Sequence, residues 1–130
     1  MEQFLEDWIT GRLPDTDEAF ERLAGVMAPS FHIVGPAGEW FDAGGLLAYL
    51  RRQHGTDPDT RRWVVEPRVA HHDDVVAVVV FDEWQMRDGE TLGSRVGCVF
   101  RSDPSAPNGV QWLHIHETRL PAAEAPPIPT

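Results

Sequence analysis

Basic residues are scarce in this 130-residue chain: 11 Lys and Arg stand against 21 Asp and Glu, a formal net charge of −10. A surface of that sign repels both a phosphate backbone and an anionic bilayer, so nucleic-acid and acidic-membrane partners are excluded. Cysteine is nearly absent. Cys98 stands alone, which excludes an internal disulfide and points to a reducing cytoplasm. No apolar run approaches the roughly 18 residues of a membrane span. The N-terminus, MEQFLEDW, is acidic where a signal peptide would be basic, so a cytoplasmic location is expected. Neither a Gly-rich phosphate loop nor a nucleotide signature is present, and no cofactor is expected. Internal repeats are also lacking.

What is present is core-forming material. Hydrophobic residues make up 42% of the chain, with five Trp and six Phe, enough for one domain with a real core and little room for a second. Phe4, Leu5, Trp8 and Ile9 recur at helical spacing, with Gly11 as a stop. Asp15 or Thr16 can cap a second helix whose apolar face is Phe20, Leu23, Ala24 and Met27, and Pro29 ends it. SFHIV reads as extended, GPAG as a turn, and Asp42 opens a third helix carrying Leu46, Leu47 and Leu50.

From Arg62 onward the period changes from helical to two. RRWVVEPRVAHH, VVAVVVFDEWQM, TLGSRVGCVFRS and QWLHIHETRL read as strands, with Asp88-Gly89 as a hairpin turn. Pro67 lacks an amide donor, which marks its strand as an edge or a bulge. The expected architecture is α+β. N-terminal helices pack on a strongly curved antiparallel sheet with a mixed edge, forming a cone with an internal pocket, because strands this long must curl to stay compact. The domain is expected over residues 1–120, followed by a mobile Pro/Ala-rich tail over 121–130. Outward apolar residues among Leu113, Ile115, Val64 and Val75 would leave a large exposed patch, so a homodimer is expected.

Two segments carry a family resemblance. SFHIVGPAG is similar to the first strand and Pro-x-Gly turn of the nuclear-transport-factor-2-like (SnoaL-like) superfamily of cone-shaped α+β domains. SRVGCVFR followed by NGVQWLHIHET is similar to its closing hairpin, and to the closing strand of the association domain of calcium/calmodulin-dependent kinases. The resemblance covers roughly residues 1–120. It implies the cone fold and a range of functions: isomerases, cyclases, dehydratases, small-molecule binders and association modules. Two features of the steroid-isomerase pattern are missing. Gly35 stands where its catalytic Asp would precede the turn proline, and Phe4 stands where the first helix would supply a tyrosine hydroxyl.

Several residues are candidates for chemistry. His114 and His116 share one strand face if alternation is regular, with Trp112 and Thr118 beside them and Glu117 opposite. They supply two metal ligands but no third at a familiar spacing, so no metal site is expected. As wall residues they serve either as hydrogen-bonded sheet side chains or as acid/base groups near neutral pH. Arg95 is either in a structural ion pair with Asp82 or Glu83, or a fork for a ligand oxygen. Strand alternation sends one of Asp82 and Glu83 inward. Glu83 shares its parity with Ala77, Val79 and Phe81 and is the better candidate for a pocket carboxyl with a raised pKa. The expected site is a pocket for a small, largely apolar molecule. His114, His116 and Glu83 would move protons there, and Arg95, Trp112, Phe4 and Asp82 would contact the ligand. Cys98, among Val and Phe, is expected to be inert. The rival expectation is a non-catalytic association module.

Overall fold

Thr16 accepts a hydrogen bond from the Ala19 amide at 3.1 Å and Asp42 accepts one from Gly45 at 2.7 Å, so two of the three helices begin on side-chain caps. The computed structural model describes residues 1–129. In chain order it contains α1 (Glu2–Ile9), α2 (Asp17–Ala24), β1 (Met27–Val34), β2 (Trp40–Asp42), α3 (Ala43–Arg51), β3 (Arg61–His72), β4 (Val76–Arg87), β5 (Glu90–Ser102) and β6 (Val110–Leu120). The second helix stops at Ala24, so Met27 and Pro29 belong to β1 and not to the helix read from the sequence.

Six strands form one open sheet in the order β2-β1-β6-β5-β4-β3. All pairs are antiparallel except β1 with β6. Pro67 fits the sequence reading on both counts: β3 is an edge strand, and its register slips between Val65 and Arg68, with Glu66 at φ 53°. Asp88 and Gly89, at φ 52° and 76°, make the tight turn between β4 and β5.

The helices lie across one face of the sheet. Phe4, Leu5 and Trp8 of α1 and Phe20 and Leu23 of α2 bury against Met27, Phe31, Val96, Cys98 and Ile115. Trp8 is fully buried and its indole N–H donates to the Leu50 carbonyl at 2.8 Å, which ties α1 to α3. Each such side chain removed from water stabilises the fold by about 2–3 kcal/mol. The Cys98 thiol is enclosed in this core and burial pushes its pKa up to about 12, in keeping with an inert thiol.

On the other face Trp63 and Trp84 are cross-strand partners, and the Trp84 ring lies across Gly93. Beyond Leu120 the chain forms a 3-10 turn over Ala122–Glu124 that packs against β5, and an Arg61 guanidinium N–H donates to the Pro129 carbonyl at 2.9 Å.

Candidate functional site

Between the helices and the sheet lies a cavity of about 240 Å³. Leu5 and Ile9 of α1 and Leu46 and Leu50 of α3 supply one wall. The sheet supplies the other: Arg62 from β3, Phe81, Glu83 and Gln85 from β4, Ser94 and Val96 from β5, and Trp112, Ile115 and Glu117 from β6. Pairing explains why these residues converge. Glu83 is the cross-strand partner of Ser94, Val96 of Glu117, and Arg62 of Gln85, so each pair shares a face.

The polar centre is Arg62. Its guanidinium donates to Glu2 at 3.0 Å, to Gln85 at 2.8 Å and to Glu83 at 2.7 Å, while its backbone amide donates to Glu6 at 2.9 Å. The side chains of Arg62 and Glu83 are each only 12% exposed. Burial alone would lower the guanidinium pKa, but Glu83 and Glu2 outweigh it and hold the group above its ordinary value. Burial pushes the Glu83 carboxyl well above the usual carboxylate range. Arg62 opposes that shift, while Glu2 and Glu117 reinforce it. Burial likewise raises the Glu117 carboxyl.

The histidine pair lies elsewhere. β6 does not alternate regularly, because Val99 pairs with His114 while the next residue, Phe100, pairs with Trp112. Leu113 is therefore an extra residue, and the face presented to the helices changes there. Trp112 points into the cavity, and so do Ile115 and Glu117, whereas His114 and His116 face the outer side. This corrects two expectations from regular alternation: that His114 shares a face with Trp112, and that Ile115 adds to an outer apolar patch. Ile115 is buried, while Val64 and Val75 are exposed.

On the outer side the His114 ring lies 4.7 Å from that of His32, which stacks on Trp40 at 4.6 Å, and His116 follows at 5.8 Å. His114 Nδ1 is 3.1 Å from the His32 carbonyl oxygen. Burial lowers the His114 pKa, and the neighbouring His32 adds to this. Among the described residues no group of three His, Cys, Asp or Glu is arranged to hold a metal ion.

Arg95 and Asp82 also face outward. Arg95 donates to both carboxylate oxygens of Asp82, at 2.8 and 3.1 Å. That guanidinium bond holds the Asp82 carboxyl below its ordinary value. Neither residue borders the cavity, so the structure does not bring them to Glu83 and Trp112. Phe4 packs in the core, stacked on Trp8, and borders a second recess of about 580 Å³ with Leu23, Phe100, Val110 and Trp112. That recess lacks a buried charged cluster, which is why the smaller cavity is the candidate site.

Of the seven sequence candidates, the structure thus brings Glu83 and Trp112 into the cavity. Sequence reasoning missed Arg62, Glu2, Glu117 and Ser94. For Arg62 the available signal was parity: it precedes Trp63 at the start of a strand that pairs with the carboxyl-bearing β4.

The family model described as sucrose-6-phosphate phosphohydrolase C-terminal matches residues 2–121. No curated protein shows significant sequence similarity to the chain. Among solved structures, a nuclear-transport-factor-2-like protein of unknown function from Pseudomonas aeruginosa is similar at 22% identity and a TM-score of 0.82, over 92% of this chain and 91% of that one. The kinase hub homology domain of Chlamydomonas reinhardtii is similar at 17% identity and a TM-score of 0.67, over 92% of each chain. A proposed dehydratase of the same superfamily from Streptomyces avermitilis is similar at 17% identity and a TM-score of 0.60, over 78% of this chain and 82% of that one. These likenesses show the nuclear-transport-factor-2-like fold. No helix among the described residues is long and apolar enough to cross a membrane.

Proposed function

The chain belongs to the family of sucrose-6-phosphate phosphohydrolase C-terminal domains, and we propose that in this member the cavity between helices and sheet is a small-molecule site with proton-handling capacity. The observation that carries this reading is the Arg62–Glu83 pair, enclosed at the wall of a cavity that mixes aliphatic and aromatic side chains with Glu2, Gln85, Ser94 and Glu117. A carboxyl group whose pKa is raised by burial holds a proton that it can give to a bound oxygen or nitrogen. Burying this pair is costly to the fold, and an apolar pair of similar volume would fill the same space without that cost. A binding or acid/base role would account for a pair that costs the fold stability. Reaction types open to such a carboxyl include dehydration, isomerisation and cyclisation. The Asp base of the steroid-isomerase pattern is replaced by Gly35, so the proton would move through Glu83 instead.

The volume suits a ligand of modest size, with Trp112 and Phe81 offering aromatic faces. Native mass spectrometry of the purified protein tests the reading, because a retained small molecule should be lost from Glu83→Gln and Trp112→Ala. Wild-type protein that binds nothing in a fragment screen read by amide shifts at Ser94, Glu83 and Glu117 would refute it.

A second reading, a homodimeric association module, is favoured by the outer side. Trp40 is 64% exposed and stacks on His32, and Val69 and Val75 are also open to solvent. The likeness to a hub domain supports the same reading. Light scattering at tens of micromolar, on wild type and Trp40→Ser, distinguishes a dimer built on this face from a monomer.

A further inference from the structure

We propose that the cavity takes an organic cation, a primary ammonium or amidinium on a small apolar body, bound head-first between Glu117, Glu83 and Ser94. The proposal rests on the small-molecule reading given above and names the chemistry of the ligand. Three carboxyl groups, those of Glu2, Glu83 and Glu117, line the cavity around one enclosed guanidinium, that of Arg62. The other two cavity arginines are engaged elsewhere or open to solvent. Arg87 lies 3.8 Å from Asp57 and donates to Gln53 and Thr56, and Arg119 is exposed.

A second observation points to a ligand independently of charge. Ser94 is only 6% exposed and borders the cavity, and among the described residues its hydroxyl has no hydrogen-bond partner. It opens onto the cavity space, where it can donate to or accept from a bound molecule. Glu117 is similar: it contributes no hydrogen bond to any described residue, although Arg62 attracts it through space. A carboxyl group and a hydroxyl without protein partners, beside three carboxyl groups that surround one guanidinium, match a ligand head that brings several N–H donors and a positive charge. The aliphatic wall of Leu5, Ile9 and Leu46 would meet the apolar body, and Trp112 and Phe81 lie where a cation or ring can contact an aromatic face.

Binding would be linked to proton release, because the incoming cation replaces the proton that the crowded carboxyl groups otherwise share. Affinity should therefore rise with pH as the raised Glu83 and Glu117 carboxyl groups give up their protons. Three probes with one body and different heads test the inference: benzylammonium, benzyl alcohol and benzoate, followed by amide and indole shifts in NMR. Benzylammonium should shift Ser94, Glu117 and the Trp112 indole and bind about tenfold tighter than either other probe, the order expected for a charge-assisted hydrogen bond over a neutral one. Glu117→Gln should abolish that preference. Ser94→Ala, whose small change in volume keeps the fold intact, should weaken benzylammonium more than benzyl alcohol. If benzyl alcohol or benzoate binds these residues as tightly as benzylammonium, the cation inference is overturned while the pocket reading stands. If none of the three shifts the cavity residues, both fall.

Discussion

Asp82 and Glu83 are sequence neighbours in β4 and each is bonded to an arginine, yet the two faces of the sheet drive their carboxyl groups in opposite directions. Asp82 meets Arg95 on the outer face, where the arginine side chain is 51% exposed, and its pKa falls. Glu83 meets Arg62 inside the cavity, where both side chains are 12% exposed, and its pKa rises. The chemistry of the pairs is the same, and the bond lengths differ by about 0.1 Å. The two carboxyl groups are about equally covered, at 11% and 12% side-chain exposure, and what differs is the cover. Asp82 lies under a guanidinium that is itself half in water, so the ions keep solvent at hand and the arginine's attraction dominates. In the cavity the cost of desolvation exceeds that attraction, and two further carboxyl groups add repulsion. One sheet thus keeps an ion pair with a half-exposed guanidinium on one side and an enclosed carboxyl cluster on the other.

The contrast can be broken most severely at Arg62. Arg62→Met leaves Glu2, Glu83 and Glu117 without their shared cation, and urea unfolding at neutral pH should show a loss of about 3–5 kcal/mol, the usual cost of orphaning one partner of a buried pair. Part of the loss should be recovered as pH is lowered and Glu83 and Glu117, raised by burial, take up protons. Next in size is Gly93→Ala on the outer face. A Cβ there would collide with the Trp84 ring, and overpacking of this kind costs about 1–3 kcal/mol, measurable as a lowered urea midpoint with the cavity probes still bound.

Glu83→Gln sharpens the comparison through pH. The folded value of Glu83 is raised above its ordinary 4.5, so its contribution to stability is full below that value and is lost as pH rises through the folded one. Wild-type stability should therefore decline across that interval, and the slope should flatten in Glu83→Gln. Asp82 has the opposite sign. Its contribution is present above its ordinary 3.8 and is lost as pH falls through the depressed value. Since Arg95 is so exposed, Arg95→Ala should shift the urea midpoint by only a fraction of the Arg62→Met effect.

The smallest effect is expected at His114. Its lowered pKa means the unfolded chain takes up a proton first, so stability is lost as pH falls through the ordinary 6.5 toward the folded value. NMR titration of the ring protons in wild type, checked against His114→Gln, should place this imidazole below the ordinary histidine range.

The order of helices and strands, the caps at Thr16 and Asp42, the Asp88-Gly89 turn and the edge character marked by Pro67 were legible because each depends on local backbone chemistry. Glu83 was also legible as the inward carboxyl. β4 pairs with β5 residue for residue from Val76 to Arg87, so parity counted from Phe81 holds along the whole strand. The histidines were misplaced for the converse reason. Parity along β6 fails at Leu113, and nothing in VQWLHIHET marks a residue that opposes no partner. Ser94 and Glu117 could not be singled out at all, since a serine and a glutamate in a strand become unusual only when their surroundings set them at a cavity wall without a hydrogen-bond partner.

The sequence by itself determined the α+β class, the acidic composition and the alternating strands, since composition and periodicity follow from each residue's own preference for water or backbone geometry. Only the tertiary structure decided which polar groups share an enclosed space. Arg62 is 21 positions from Glu83, and Glu2 is 60 from Arg62. Whether such groups meet depends on strand register and on where α1 crosses the sheet, and a single inserted residue in β6 was enough to exchange the cavity face for the solvent face.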